Sequence, residues 1–219
     1  MPHVVTLYRY PVKGFTPEEC KTLTVLDEGR IASDRVLGVR FADTEAADDA
    51  WSRKTGMVAL INTPGLARLH LRFEEKSFRL RISLETAVLV DEVLNPEGRK
   101  RIAARLADYV LKLDPNPLSG HPERLPLRLI GDGFTPRYHD DAAGRVTLHG
   151  RGSLQTLAAV LGTEVSEVRF RSNIAIDGLG AWEEQSWVGR KIRIGDVEGA
   201  QGHHGEDRNH HAGERARLA

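Results

Sequence analysis

Lys13 and Arg35 are the first residues in the chain whose type and setting could do chemistry. Lys13 follows Pro11, where an alternating strand over Val4–Tyr10 ends, and Arg35 follows Asp34 just before a second strand-like run, Val36–Phe41. Lysine offers a compact point charge, and arginine a planar fork that grips phosphate oxygens in two places. Ends of elements are where binding groups collect. The plain alternative is a surface cation paired with a neighbour such as Asp34, a contact of little consequence. Arg171 and Asn173 form a second pair. They stand two apart in an expected strand, Val168–Asp177, so their side chains would share a face. Either they line a polar cavity, or they lie on a solvated outer face while Phe170, Ile174 and Ile176 point inward.

Other motifs carry weaker chemistry. Gly150-Arg-Gly-Ser153 precedes an expected helix, Leu154–Leu161, and could cradle an anion on free N–H groups. A serine in that place also serves as an ordinary N-cap. His203, His204, His210 and His211 could ligate a divalent metal as neutral imidazoles, but their segment offers no apolar framework to fix them. Adventitious metal binding is the expectation there. The one cysteine, Cys20, allows neither an internal disulfide nor an all-cysteine metal cage, and it reads as structural. Asp132, Asp140 and Asp141 read as loop acids with no role.

These residues need a scaffold, and the pattern around them is mostly strand-like. Leu69–Phe73 and Phe78–Leu84 alternate with period two about a polar turn, which predicts an antiparallel hairpin in a sheet or barrel. Ile102, Leu106, Tyr109, Val110 and Leu113 recur at helical spacing, predicting an amphipathic helix over Glu97–Leu113. Pro115, Pro117, Pro122 and Pro126, with Gly120, exclude a regular element over Asp114–Pro126 and make it the linker candidate. Further strands are expected at Arg145–His149 and Lys191–Gly195, with a short acidic turn at Trp182–Trp187. Residues Gly199–Arg215 hold no β-branched residue and no Phe, Trp or Tyr, so the tail is expected to be disordered.

Bulk properties narrow the function classes. Lys+Arg 31 against Asp+Glu 31 gives no global field to steer the chain onto nucleic acid or an anionic membrane. Any anion site must be local. Apolar runs such as Met57–Ile61 are far too short to span a bilayer, and no signal-peptide pattern opens the chain. The expectation is a soluble cytoplasmic protein of ordinary composition.

Three stretches, taken in order, resemble one family. They are Tyr8-Arg-Tyr-Pro-Val-Lys13; then Gly29, Asp34-Arg35, Trp51 and Lys54-Thr55; and then Phe170-Arg-Ser-Asn-Ile-Ala-Ile-Asp-Gly178 with Glu183, Trp187-Val-Gly189 and Arg193-Ile-Gly195. Together they are similar to the MOSC superfamily, the β-rich domains that handle the molybdenum cofactor, over roughly residues 4–198. The resemblance implies a mainly β fold with some helix. A MOSC N-terminal β-barrel-like domain with its connecting helix would occupy residues 1–113, a MOSC β-barrel residues 114–198, and a divergent His-rich tail residues 199–219.

By domain order the chain resembles the amidoxime-reducing components. In those enzymes a pterin dithiolene and one protein cysteine hold molybdenum, a redox partner feeds electrons in, and small N-hydroxylated or N-oxide compounds are reduced. The resemblance implies that Lys13 and Arg35 bind the phosphate of molybdopterin and that Arg171 and Asn173 hold its pterin. Two departures matter. Ser172 stands where the family usually has proline, and the ligand cysteine, due near Gly205, is absent together with the Thr-Thr-x-x-Pro segment after it. No catalytic or metal-ligating residue is therefore assigned. Two readings remain: an oxidoreductase-like cofactor-binding protein that lacks its metal ligand, or a non-catalytic module binding a pterin or a sulfur carrier. A degenerate member, or one with a shifted reading frame near residue 199, would fit the second.

Overall fold

The computed structural model describes residues 1–51, 54–200 and 216–218. In chain order the strands are β1 His3–Arg9, β2 Glu18–Cys20, β3 Leu23–Val25, β4 Gly38–Arg40, β5 Leu69–Glu74, β6 Arg79–Leu84, β7 Ala87–Val93, β8 Arg128–Ile130, β9 Leu148–Gly150, β10 Ile174–Asp177, β11 Lys191–Ile194, β12 Val197–Ala200 and β13 Ala216–Leu218. The α-helices are α1 Pro96–Val110 and α2 Arg151–Leu161. The chain is mainly β with a few helices, as the period-two runs predict.

The chain divides into two compact units, each made of separated stretches. A terminal unit takes residues 1–9, 19–32 and 145 onward, and a central unit takes 10–18 and 33–144. This division differs from one at residue 113. The proline-rich segment lies inside the central unit, because β8 beyond it pairs antiparallel with β4 (Gly38 with Ile130, Arg40 with Arg128). Likewise β1 belongs with the end of the chain, because it pairs antiparallel with β10.

The central unit is built on the antiparallel meander β5-β6-β7. Leu69, Leu71 and Phe73 of β5 are buried, while His70, Arg72 and Glu74 are exposed, which is the alternation of a sheet with one wet face. Helix α1 covers the meander with Ile102, Leu106 and Val110, all buried in the same core as Leu80 and Ile82. Burial of each such side chain contributes about 2 kcal/mol. Asn95 caps α1, accepting a bond from Gly98 N at 2.7 Å, and Pro96 opens its first turn. A Cβ at Gly98 would lie 1.9 Å from Val93 O, so only glycine lets β7 turn this sharply into the helix. After α1 the segment 114–126 holds no regular element beyond a short 3-10 turn at Pro122–Arg124. Asn116 organises it, accepting from the N–H groups of Leu118 and Ser119 and donating to Leu113 O.

In the terminal unit four strands lie in the order β2-β1-β10-β9, with β10 and β9 parallel. Leu7, Leu23, Ile31, Ile174, Ile176 and Leu179 form its core. Strands β11 and β12 make a hairpin ending at Ala200, and β13 pairs antiparallel with β3. The disorder expected from Gly199 onward fails where it can be judged, because Gly199 and Ala200 close β12 and residues 216–218 form β13; the four tail histidines and the rest of residues 201–219 lie outside the described residues. None of the ladders closes into a barrel among the described residues; six of the strands are only three residues long.

Two local expectations fail. The strand expected over Val168–Asp177 begins only at Ile174, because Glu167–Phe170 is a 3-10 turn that ends with Arg171 in the left-handed region at φ 54°. Helix α2 starts at Arg151, with Gly150 at its N-cap, so Ser153 is inside the first turn. No helix among the described residues is long and apolar enough to cross a membrane.

Candidate functional site

Backbone pairing brings Lys13 and Arg35 together. Residues 10–13 and 34–37 run side by side: Arg35 N donates to Tyr10 O (2.6 Å), Leu37 N to Pro11 O (3.0 Å) and Lys13 N to Leu37 O (2.8 Å). Val12 and Leu37 form a parallel bridge between them. The chain then turns at Gly14, φ 76°, where a Cβ would lie 2.4 Å from the Ala59 Cβ. Arg35 also sits in the left-handed region, at φ 53°, with its carbonyl accepting from the N–H groups of Arg137 and Tyr138. Non-glycine residues hold that conformation only where surrounding bonds over-determine it, and such residues cluster at binding sites.

The side chains make a buried polar group around Asp34. Asp34 Oδ1 accepts from Tyr10 N at 2.6 Å, and Oδ2 accepts from the Arg35 guanidinium. That guanidinium lies 4.6 Å above the centre of the Tyr10 ring. His139 Nδ1 is 3.9 Å from Asp34 Oδ2. Lys13 is only 2% exposed, and its ammonium donates to His139 O at 2.7 Å. The same carbonyl accepts from the Trp51 indole N–H at 3.0 Å. The Asp140 carboxylate lies 3.8 Å from the ammonium of Lys13 and 3.8 Å from that of Lys54. The backbone approaching Trp51 is tied down as well. Buried Arg40 donates to Ala46 O and Ala47 O, Tyr138 OH to Asp48 O, and Arg137 to Asp49 O.

In the terminal unit Asn173 is 1% exposed, and both ends of its amide are used by the protein. Its Nδ2 donates to Tyr8 O at 3.1 Å, and its Oδ1 accepts from Thr147 Oγ1 at 3.2 Å and Thr147 N at 3.3 Å. Arg171, half-buried in its left-handed turn, does not share a strand face with Asn173. Phe170 is exposed, whereas Ile174 and Ile176 point into the core as expected.

Glu167 anchors a further polar cluster. It accepts from Tyr8 OH at 2.9 Å and from Arg151 at 2.7 and 3.3 Å. Burial pushes the Glu167 carboxyl up, but the bonds from Arg151 and Tyr8 outweigh it and hold the group below the usual range. Burial, and then the bond to Glu167, push the Tyr8 phenol to about 12. The His149 ring stacks on Phe170 at 5.9 Å, and its Nε2 lies 3.6 Å from Glu167, too far for a hydrogen bond. Burial pulls the His149 pKa down, with Glu167 opposing. The suggested anion cradle at the start of α2 is filled from within. Glu184 accepts from Ser153 Oγ (2.6 Å) and Gly150 N (3.2 Å), and Ser153 Oγ accepts from Trp182 N (2.8 Å).

No protein-family model matches this chain, and no curated protein matches it either. The resemblance therefore rests on the motifs themselves.

Of the four candidate residues, Lys13 and Arg35 come together in the central unit, and Arg171 and Asn173 belong to the terminal unit. Each of the two buried cations has its own carboxylate, Arg35 with Asp34 and Lys13 with Asp140. No cluster of three or more His, Cys, Asp or Glu able to hold a metal exists among the described residues, and Cys20 is the only cysteine of the chain. The sequence reading gives Asp140 no role and passes over His139 and the Glu167 cluster. The one visible signal was the run Tyr138-His139-Asp140, polar and aromatic within an otherwise irregular loop.

Proposed function

We propose that this chain binds a phosphorylated pterin of the molybdenum-cofactor type, with Lys13 and Arg35 holding the phosphate. The observation that carries the proposal is the burial of both cations around Asp34 and His139. Burying charge is costly, and a group held in this way, with Arg35 in a sparsely populated backbone conformation, is expected where a ligand needs fixed charge. Membership of the MOSC superfamily, with its two-barrel plan, is part of the same proposal and is supported by the ordered motifs and by the mainly β architecture. When bound, the cofactor would supply the redox chemistry of molybdenum, which in the amidoxime-reducing components that the motifs resemble is completed by a cysteine thiolate, a soft ligand. Lys13 and Arg35, both in the central unit, would fix the phosphate. Asn173, its amide committed to Tyr8 and Thr147, orders the strands of the terminal unit.

The lone thiol, Cys20, favours a binding module over a working oxidoreductase. Molybdenum and pterin analysis of the protein purified from a cofactor-producing host tests the proposal. Bound pterin is expected in the native chain and its loss in the double variant Lys13→Ala, Arg35→Ala; a native chain free of pterin refutes it. Reduction of N-hydroxylated compounds, with electrons from a redox partner, is expected to be absent or nearly so. Robust turnover by the unmodified chain would overturn the binding-only reading.

A further inference from the structure

We infer, independently of the phosphate site, that α2 is a docking surface for a second copy of this chain. The two α2 helices would lie antiparallel across a twofold axis between Leu157 and Ala158.

Helix α2 turns its small and polar residues toward the terminal unit. A Cβ at Gly152 would lie 2.4 Å from Leu179 O, and Ser153, the one buried residue of the helix, donates to Glu184. Thr156 bends its hydroxyl back to Gly152 O at 3.0 Å. Leu154, Leu157, Val160 and Leu161, by contrast, lie outside the core of the unit. Val160 is 79% exposed and Leu161 58%. A helix of eleven residues is marginal in water by itself, and most helices of that length are held by burying an apolar face. Among the described residues nothing buries this one.

The apolar residues are ordered. Leu154, Leu157, Ala158 and Leu161 recur at the three- and four-residue spacing of a helix–helix seam. From Gly152 to Thr163 the chain carries no charge. A helix lying on a membrane would carry lysine or arginine along its polar side, and a nucleic-acid surface would be basic, so α2 suits neither.

A second copy fits because the stripe is complementary to itself. With the helices antiparallel about a point between 157 and 158, Leu154 meets the other copy's Leu161, and the larger Leu157 meets the smaller Ala158. The same axis sets Arg151 opposite the other copy's Glu164, charge against opposite charge. Glu164 is exposed and has no ion pair among the described residues. Arg151 is bound to Glu167 with its side chain 35% exposed, which leaves room for a second carboxylate. One helix of this length covers less than a standard interface, so the association is expected to be reversible rather than permanent.

Sedimentation equilibrium of the full chain and its variants tests this. The native chain should be a reversible dimer at micromolar concentrations. Leu161→Lys should weaken the dimer at least about tenfold, and Glu164→Arg, which brings like charges together, about fivefold. Both positions are exposed, and urea midpoints measured where the native chain is monomeric show that each variant is folded. Oxidation in a Cys20→Ser background reads the register. Ala158→Cys should form a covalent dimer readily, whereas Ala159→Cys, on another side of the helix, should not. A native chain that stays monomeric overturns the inference, including one that binds phosphatidylglycerol vesicles instead. A dimer that Leu161→Lys leaves intact overturns it too, since the interface then lies elsewhere. Equal crosslinking of Ala158→Cys and Ala159→Cys overturns the antiparallel register.

Discussion

Two residues buried to the same degree, Lys13 in the central unit and Asn173 in the terminal unit, do opposite things with their polarity. Asn173 spends its amide inside the protein, tying Tyr8 O on β1 to Thr147 ahead of β9. Lys13 donates its ammonium to the His139 carbonyl and lies 3.8 Å from the exposed Asp140 carboxylate. Burial alone therefore does not mark a binding site. What distinguishes the two is where the polar tip ends: in a closed set of hydrogen bonds, or at a charge that water can reach. The first arrangement stabilises the fold, and the second is the one the proposed phosphate site needs.

Substitution should separate them. Asn173→Ala strands Tyr8 O and the Thr147 N–H without their partner in a buried place, and should lower unfolding stability by about 3 kcal/mol. Lys13→Met keeps the stem volume and leaves His139 O bonded to Trp51, and should cost about 1 kcal/mol while abolishing anion binding. Urea unfolding and pyrophosphate titration of both variants check this. If Lys13→Met proves the more destabilising, the contrast is wrong and Lys13 is a structural residue.

The Glu167 cluster sharpens the same contrast, because its charges are closed on one another. Glu167→Gln should cost about 2 kcal/mol through the weakened bonds from Arg151 and Tyr8. Its pH behaviour follows from the direction of each shift. His149 is depressed in the folded state, so its contribution is intact above the ordinary histidine value of 6.5 and is lost as acidification protonates the unfolded chain first. Glu167 is also depressed, so its contribution is lost below 4.5 as pH falls toward the folded value. Tyr8 is raised, so its share is complete below 10.0 and is lost as pH rises through about 12. Urea midpoints followed against pH should therefore show an acid slope beginning near 6.5 that His149→Gln removes. They should also show an alkaline fall that Tyr8→Phe removes. A native chain whose midpoint is flat from pH 8 to 5 would contradict the assignment to His149.

How much of this was legible in the sequence follows the range of the interactions. The β5–β6 hairpin, the apolar face of α1 and the irregular proline-rich segment all depend on neighbours a few residues away, and their periodicity or proline density announces them. Lys13 and Arg35 could be picked out by type and position. Their shared environment could not, because His139 and Asp140 arrive from a loop more than a hundred residues further along the chain. The strand expected through Arg171 failed for a local reason: apolar alternation over Val168–Ile176 suits a strand, but a 3-10 turn and a left-handed Arg171 interrupt it before Ile174. Ser153 misled in a similar way. It looks like a cap, yet its hydroxyl serves Glu184 and Trp182, partners about thirty residues later that no local pattern specifies.

The smallest effect is expected where the same arginine–glutamate chemistry is moved to the surface. On the central unit Arg101 grips Glu92 with two bonds, 2.7 and 2.8 Å, as good as the pair Arg151 makes with Glu167. The bond from Arg101 holds the Glu92 carboxyl below its usual range. Water surrounds it, however, and both side chains lose rotamer freedom to make it, which leaves little net gain. Glu92→Gln should therefore shift the urea midpoint slightly at low salt and not at all in molar salt, where screening acts within a few ångströms. Glu167→Gln should shift it by nearly the same amount in both, because the partners of Glu167 are hydrogen bonds in a half-buried setting. Equal salt sensitivity in the two variants would show that burial is not what separates the forks, and would remove the ground for calling the Glu167 cluster closed.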